Sequence, residues 1–497
     1  MILLIKPPYN PAVFRSGESL GLNILGAVLK RQGYSVKLLD AALQNLSFLG
    51  LMQEIKRNSP RLLGLSITCS SFLPGALQLA RAARKWDHRL HITVGGSYPS
   101  FADRKILEEV PEIDTVIRFE GEQALSSLCE RVDQPELWHE IPNLTYRDGK
   151  EIRSNPAAPI ATSLDDLPWP MRERHSFGPG IRDAGMLSSR GCPWDCTYCI
   201  QGAFYGGSGW RARSAADIFA EMQSLQEEWR AGAFLFHDDN FLGSCRAGRE
   251  RALELAQLLD AAKVKLPWAI SCLPVDVHPA LLERLNKAGL TQVFLGVESG
   301  AQAALDRWNK KVSVAQNRKA VQILGEIGLG MEIGFVFFDP YTTMAELKEN
   351  LEFLRATQAA NTAPFMNRME AHEGMAITER LRREGRLVEK DCAYHYRNED
   401  ERVDRVNALF HQILPTLAEA EHSYLSLRFQ SQTDSGGAKM DKKRLKKLEK
   451  SLSDRVCRTA EEIIRFAQNG AKAALPDEEA FIAQSRNTLR QFNGEFR

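Results

Sequence analysis

The sequence predicts an α/β protein in three parts: an N-terminal flavodoxin-like (Rossmann-type) domain, a central partial or full (β/α) barrel, and a mostly helical C-terminal domain. Three observations carry this. Up to about residue 135, short apolar runs alternate with stretches of helical periodicity, the pattern of a doubly wound parallel sheet. The alternation resumes near residue 184 and continues to about 357, long enough for a barrel with its chemistry at the strand C-termini. Past residue 365 the strand signal gives way to charged, helical patterns. The boundaries read as 1–140 for the first domain, 141–182 for a linker, 183–365 for the barrel and 366–497 for a helical domain that shapes the substrate site.

Taken in order, strands are expected at 2–5, 35–39, 62–67, 91–94 and 114–117, with helical periodicity at 20–31, 50–56, 75–85 and 122–132. Ligands of such sheets sit beyond the strand carboxyl ends. Those ends fall at 6–8, 40, 68–70, 95–97 and 118–121, and several are small or glycine, so a bulky ligand can approach the backbone. Residues 141–151 read as a hairpin turning at Asp148-Gly149. Residues 155–174, rich in Pro, Asp and Ser, read as linker. Barrel strands are expected at 185–188, 233–237, 268–271, 292–297 and 332–337, and barrel helices at 215–229, 249–262, 279–288, 314–327 and 344–356. The basic run 439–450 reads as a solvated helix face.

Bulk properties narrow the function classes. Hydrophobic residues make up 44% and charged residues 26% of the 497, a globular balance. A net charge of +1 gives no overall field for nucleic acid or membrane, and neither is an expected partner. Lys6-Pro7-Pro8 ends the apolar start too early for a signal peptide, and no stretch is apolar enough to span a bilayer. With nine cysteines and no export signal, metal binding or catalysis outweighs a disulfide framework, and a cytoplasmic location is expected.

Three of the cysteines stand together. Ser189-Arg190-Gly191-Cys192-Pro193-Trp194-Asp195-Cys196-Thr197-Tyr198-Cys199 directly follows the first barrel strand. Thiolates at intervals of four and three residues can converge from one loop on one metal centre, and soft sulfur selects iron–sulfur clusters or zinc. Structural zinc wants four ligands, whereas His175 and His237 are far off in sequence. Three ligands on a four-iron cluster leave one iron open.

This loop resembles the motif of the radical S-adenosylmethionine (SAM) superfamily. The resemblance implies that Cys192, Cys196 and Cys199 hold a [4Fe–4S] cluster whose open iron chelates SAM. Reduction then cleaves SAM to a 5′-deoxyadenosyl radical that takes a hydrogen atom from the substrate. It also implies SAM contacts at Tyr198, at Asp239 in Phe236-His237-Asp238-Asp239-Asn240-Phe241, at Ser271, and at Glu298 in Gly296-Val297-Glu298-Ser299-Gly300. A carboxylate at Glu298 would accept from the ribose hydroxyls. The family often has glycine before Pro340, where this chain has Asp339.

The N-terminal part resembles the cobalamin-binding domain of one radical SAM subfamily, the class B methyltransferases and their relatives. The matching pieces are Leu3-Leu4-Ile5-Lys6-Pro7-Pro8, Leu20-Gly21, Gly33-Tyr34, Val94-Gly95-Gly96-Ser97-Tyr98-Pro99, Glu120-Gly121-Glu122 and Leu164-Asp165-Asp166-Leu167-Pro168-Trp169-Pro170. The whole resemblance covers about residues 1–390. It implies that Ser66, Thr68, Gly95, Gly96, Ser97, Glu120 and Gly121 line the cobalamin groove. The Asp-x-His-x-x-Gly motif of methionine-synthase-type domains is absent, and Tyr9-Asn10-Pro11-Ala12-Val13-Phe14-Arg15 offers no histidine to cobalt. Cys69 reads as a small buried thiol. Phe119 stands where the subfamily usually has glycine.

The function implied is methyl transfer to an unactivated carbon of a peptide or natural-product precursor, through the 5′-deoxyadenosyl radical and methylcobalamin. A flavodoxin- or ferredoxin-type electron donor is the expected partner. A second class is a radical SAM isomerase, epimerase or ring-forming enzyme without methyl transfer, with Cys392 as a hydrogen donor. A third, a non-catalytic metal-binding or redox-sensing protein, sits poorly with Asp239 and Glu298 at strand ends. Cys392, Tyr394 and His395 are the catalytic candidates, and Arg368, His372, Glu373 and Tyr396 are further polar candidates for the substrate pocket.

Overall fold

The computed structural model describes residues 1–8, 17–160, 163–173, 183–206, 209–390, 393–433, 442–469 and 475–494. The chain divides into two compact units. One comprises Met1–Cys272, Ala280–Thr291 and Ala371–His395; the other comprises Leu273–Pro279, Gln292–Glu370 and Tyr396–Arg497.

The first unit opens with β1 (Ile2–Lys6), β2 (Val36–Asp40), β3 (Leu62–Ser66), β4 (His91–Gly95) and β5 (Thr115–Ile117), parallel and ordered β2-β1-β3-β4-β5. The order reverses at β1, so the crevice at the carboxyl ends of β1 and β3 is the topological switch point. All five residues of β1 are buried. Covered on both faces, the strand needs no polar alternate, which is why Ile2–Ile5 reads as an unbroken apolar run. Helices α1 (Leu20–Arg31), α2 (Phe48–Asn58), α3 (Leu73–Trp86), α4 (Ser97–Glu109) and α5 (Glu122–Arg131) supply the covers. Leu22 and Leu29 of α1 and Leu125 and Leu128 of α5 share one core with Ile2, Leu4 and Leu62.

Periodicity predicts no helix over α4. Pro99 lies in its first turn, where a missing N–H is tolerated, and the helix kinks at Ala102, so the apolar repeat is broken. The hairpin expected in the linker forms as β6 (Leu144–Asp148) and β7 (Glu151–Ser154), but it joins the N-terminal sheet, with β6 antiparallel to β5. It covers an edge whose backbone would otherwise be unpaired.

After the linker come β8 (Asp183–Met186), the ribbon of β9 (Ser189–Arg190) and β10 (Arg211–Ala212), and the short α6 (Gln201–Phe204) between them. Next are α7 (Ala215–Trp229), β11 (Ala233–Phe236), α8 (Arg246–Ala261), β12 (Trp268–Cys272) and α9 (Pro279–Lys287). β8, β11 and β12 run parallel. Ser214 caps α7 by accepting from the Asp217 N–H at 3.1 Å.

Most of β13 (Leu290–Glu298) lies in the second unit, parallel to β14 (Gly330–Phe335), with α10 (Gln302–Arg307), α11 (Val314–Ile327), α12 (Met344–Thr357) and α13 (Thr362–Met366). Capping boxes Ser313/Gln316 and Thr343/Glu346 start α11 and α12. The barrel strands and helices thus fall close to their expected places. The chain then returns to the first unit through α14 (Ala376–Arg383), β15 (Leu387–Lys390) and β16 (Ala393–Tyr396). This segment packs on α4: Lys105 pairs with Glu389 at 2.5 Å and lies 4.8 Å over the Tyr394 ring, and Tyr98 meets His372 edge-on. The second unit ends in α15 (Glu401–Ile413), α16 (Ala418–Thr433), α17 (Lys442–Asn469) and α18 (Leu475–Gly494). Among the described residues, no helix is long and apolar enough to cross a membrane.

Candidate functional site

Cys192, Cys196 and Cys199 lie half-buried on the loop between β9 and α6. The loop opens at Gly191, whose φ of +86° and contact with the Gly209 carbonyl leave no room for a Cβ. A turn closes from the Cys199 N–H to the Cys196 carbonyl at 3.0 Å. Burial, with Cys196, Asp239 and Cys192 close by, raises the Cys199 thiol to about 12, so the three sulfurs and the carboxylate share one neighbourhood. Among the described residues, no three His, Cys, Asp or Glu side chains would hold a metal ion. A [4Fe–4S] cube spreads its thiolates more widely than one ion does, and three soft donors on one loop suit it. Trp194 anchors the middle of the loop by donating to Ser244 Oγ at 3.0 Å. Tyr198 is half-buried within the loop.

The residues that end β11 divide their work. Phe236 and Phe241 pack in the core. The His237 ring lies beneath Gly185 and Gly17, and its burial lowers its pKa. Asp238 is buried and accepts from the Ser188 N–H (2.7 Å), the Ser189 N–H (2.9 Å) and Ser188 Oγ. It braces β11 to the approach of the cysteine loop, while Arg251 donates to the carbonyls of Ser188 (2.8 Å) and Phe241 (2.5 Å). Asp239 turns the other way and accepts from the Gly191 N–H at 3.2 Å, at the root of the cysteine loop. Burial raises its pKa to about 6. Ser271 falls on the half-buried face of β12, in register with Ala269.

Glu298 belongs to the second unit and closes β13 at a register shift against β14. Its φ of +66° is left-handed, a conformation that costs a non-glycine residue about 1–2 kcal/mol and is concentrated at functional sites. Lys310 Nζ lies 3.4 Å from Glu298 Oε1, with both side chains largely buried. Sequence reasoning passed over Lys310, because nothing in Trp308-Asn309-Lys310-Lys311 separates a buried lysine from a solvated one. Asp339, which replaces the family's glycine, is fully buried and accepts from Trp308 Nε1 (2.6 Å), Arg307 and the Tyr341 N–H (2.7 Å).

In the N-terminal sheet, Ser66, Gly95 and Ser97 are half-buried and Thr68 is exposed, together at the ends of β3 and β4. Ser97 Oγ donates to the Thr68 carbonyl at 2.6 Å. This rim carries only small side chains. Gly96 does a different job: its φ is +114°, and a Cβ there would stand 2.5 Å from the Ile67 carbonyl oxygen, so its space is filled by the chain's own backbone. Phe119 takes the left-handed conformation, φ +57°, that the subfamily's glycine would adopt with ease. Its N–H donates to Ser100 Oγ at 2.7 Å, and its ring packs edge-on against Phe101 and Phe204. Glu120 accepts from Arg190 at 2.8 Å and Arg211 at 2.7 Å, so its carboxylate faces arginines. Gly121 immediately precedes α5.

The polar candidates beyond residue 365 are largely occupied. Arg368 pairs with Asp404 and donates to the Tyr396 carbonyl, Tyr396 donates to the Met369 carbonyl, and Glu373 pairs with Arg382. Tyr394 is buried beneath Lys105, and His395 is exposed. Cys392 and the loop at 9–15 lie outside the described residues.

Comparison with known proteins matches the family model of the B12 binding domain to residues 13–129 and that of the Radical SAM superfamily to residues 186–354. An uncharacterised methyltransferase of Pyrococcus horikoshii is 25% identical over 362 residues, covering 71% of this chain and 77% of that protein. The anaerobic magnesium-protoporphyrin IX monomethyl ester cyclase of Cereibacter sphaeroides is 29% identical over 351 residues, covering 67% of this chain and 56% of the cyclase. The cobalamin-dependent S-adenosylmethionine radical enzyme OxsB, solved with aqua-cobalamin and S-adenosylmethionine bound, shares the fold: TM-score 0.75 at 18% identity, over 92% of this chain and 72% of OxsB.

Proposed function

We propose that this chain, which matches the family models of the B12 binding domain and the Radical SAM superfamily, is a radical SAM enzyme that transfers a methyl group to an unactivated carbon of a peptide or small natural-product precursor. One observation carries the reading. A three-cysteine loop at parallel strand ends occupies the same compact unit as a flavodoxin-like sheet that matches B12-binding domains. The cofactors are a [4Fe–4S] cluster, SAM and cobalamin. When bound, they supply the electron that cleaves SAM, the 5′-deoxyadenosyl radical and the methyl group to be transferred.

The chain's own residues bind and orient. Cys192, Cys196 and Cys199 hold the cluster as thiolates and leave one iron for SAM. In the first unit Asp239 would accept from the SAM amino group, with Tyr198 and Ser271 as further contacts, and in the second unit Glu298 would accept from ribose hydroxyls. Lys310 keeps a cation beside Glu298 and offsets its charge. Ser66, Thr68, Gly95 and Ser97 would leave room for cobalamin, and the sequence at 9–15 contains no histidine to offer cobalt. An external donor of the flavodoxin or ferredoxin type would supply the electron. A reducing, cytoplasmic compartment suits the thiolates.

A second reading, radical ring closure without methyl transfer, is favoured by the likeness to a cyclase. The test uses anaerobically reconstituted protein, reduced cobalamin and SAM with a deuterated methyl group. Methyl transfer predicts a deuterated methyl on cobalamin as well as 5′-deoxyadenosine. Release of 5′-deoxyadenosine with no methyl uptake by cobalamin selects the ring-forming reading. A Cys192→Ala, Cys196→Ala, Cys199→Ala variant that keeps its full iron content and still cleaves SAM overturns both.

A further inference from the structure

The turn at 119–122 grips the cysteine loop at both ends. In front of the loop, Arg190 immediately precedes Gly191, and its fork is shared between two carboxylates: Glu120 Oε1 at 2.8 Å and Glu122 Oε1 at 2.6 Å. Arg211, paired opposite Arg190 in the β9–β10 ribbon, donates to the same Glu120 oxygen at 2.7 Å. All four side chains are at most 15% exposed. Behind the loop, the ring of Phe204 in α6 lies 6.0 Å from that of Phe119, edge-on. Phe119 is fixed in turn by Phe101 and by Ser100 Oγ.

We propose that residues 119–122 form a clasp that sets the position of the cysteine loop, and so of its cluster, relative to the cobalamin-binding sheet, with Glu120 and Glu122 as positioning residues. The inference rests on the reading of Cys192, Cys196 and Cys199 as cluster ligands. Buried ion pairs are poor stabilisers, and well-packed apolar groups do as well or better. What a forked guanidinium–carboxylate contact supplies is direction and distance. Two arginines against two glutamates leave the clasp neutral, so it fixes geometry without adding net charge beside the cluster. A radical made at one cofactor for use at another needs that separation held constant.

The test reads geometry directly. In the cofactor-free protein, hydrogen exchange of the amides at 191–200 should be roughly tenfold faster in E120Q/E122Q than in wild type, while the amides of β1 and β3 are unchanged. In protein loaded with the dithionite-reduced, paramagnetic [4Fe–4S]+ cluster and cob(II)alamin, the cluster's enhancement of cob(II)alamin electron-spin relaxation, which falls steeply with distance, should drop. R190M removes the buried cation together with its need for partners and should give the same loss if the double glutamine variant fails to fold. R190K, which keeps the charge and loses the fork, should lie between. Unchanged exchange at 191–200 together with unchanged spin relaxation in these variants overturns the proposal. A wild-type chain that takes up no cluster defeats the cysteine reading instead, and the exchange result alone then judges the clasp.

Discussion

Replacing Asp238 with alanine, and separately Asp239, should give opposite phenotypes from adjacent positions. Asp238 is the acceptor for the Ser188 and Ser189 N–H groups at 2.7 and 2.9 Å and for Ser188 Oγ, and it stands beside the buried Arg251. Removing one partner of a buried charged network costs about 3–5 kcal/mol. Arg251 keeps the Ser188 and Phe241 carbonyls as acceptors, which puts D238A near the lower end, about 3 kcal/mol. Asp239 receives a backbone bond from Gly191 at 3.2 Å, so D239A should cost about 1 kcal/mol or less in stability. Its loss should instead weaken SAM binding by about 1.5–3 kcal/mol, roughly ten- to a hundredfold. Urea titration followed by tryptophan fluorescence measures the first effect, and equilibrium dialysis with labelled SAM on the reconstituted protein measures the second. If D238A unfolds at the wild-type midpoint, or D239A binds SAM as wild type does, the division between brace and ligand contact is wrong.

Two further outcomes follow from the N-terminal sheet. Thr68→Trp places a large ring on the exposed rim without the backbone collision that any side chain at Gly96 would meet. Cobalamin retained after gel filtration should fall at least tenfold, while SAM cleavage persists, and full retention would remove Thr68 from the groove. His91 is buried against Trp138 and Thr115, and burial lowers its pKa to about 4. The unfolded chain therefore takes the proton first as pH falls. His91 costs nothing above about pH 6.5, and between about 6.5 and 4 up to about 3 kcal/mol of stability is lost. His91→Gln should flatten that part of the stability–pH curve, and an unaltered slope would show that another group titrates there.

What was legible in the sequence was local. The apolar periodicity at 215–229 and 344–356 marks α7 and α12 because it repeats within a few residues. The cysteine spacing is readable because all three donors share one loop. What escaped depends on partners far along the chain. Glu120 reads as a cobalamin contact until Arg190 and Arg211, some 70 to 91 positions away, are seen to face it. That a side chain at Gly96 would collide with the Ile67 backbone is visible only in the fold. The departure at Phe119 leaves the turn intact, because Ser100, Phe101 and Phe204 hold its left-handed backbone, and none of them is signalled by the local sequence. Lys310 becomes distinctive only once Glu298 is beside it.

The return of 371–395 to α4 has a consequence for how the chain is born. Lys105 meets Glu389 across 284 residues, and Gly374 sits where any side chain would press on Phe101. The first unit therefore cannot be completed while its own N-terminal sheet emerges from the ribosome. It waits, with one flank of α4 uncovered, through synthesis of the barrel strands and the helices between them. A chain ended just after α12 would carry both cofactor regions and still leave Tyr98 and Phe101 without their cover. Truncations that look natural in sequence, at the edge of the barrel, are then the ones most prone to aggregate.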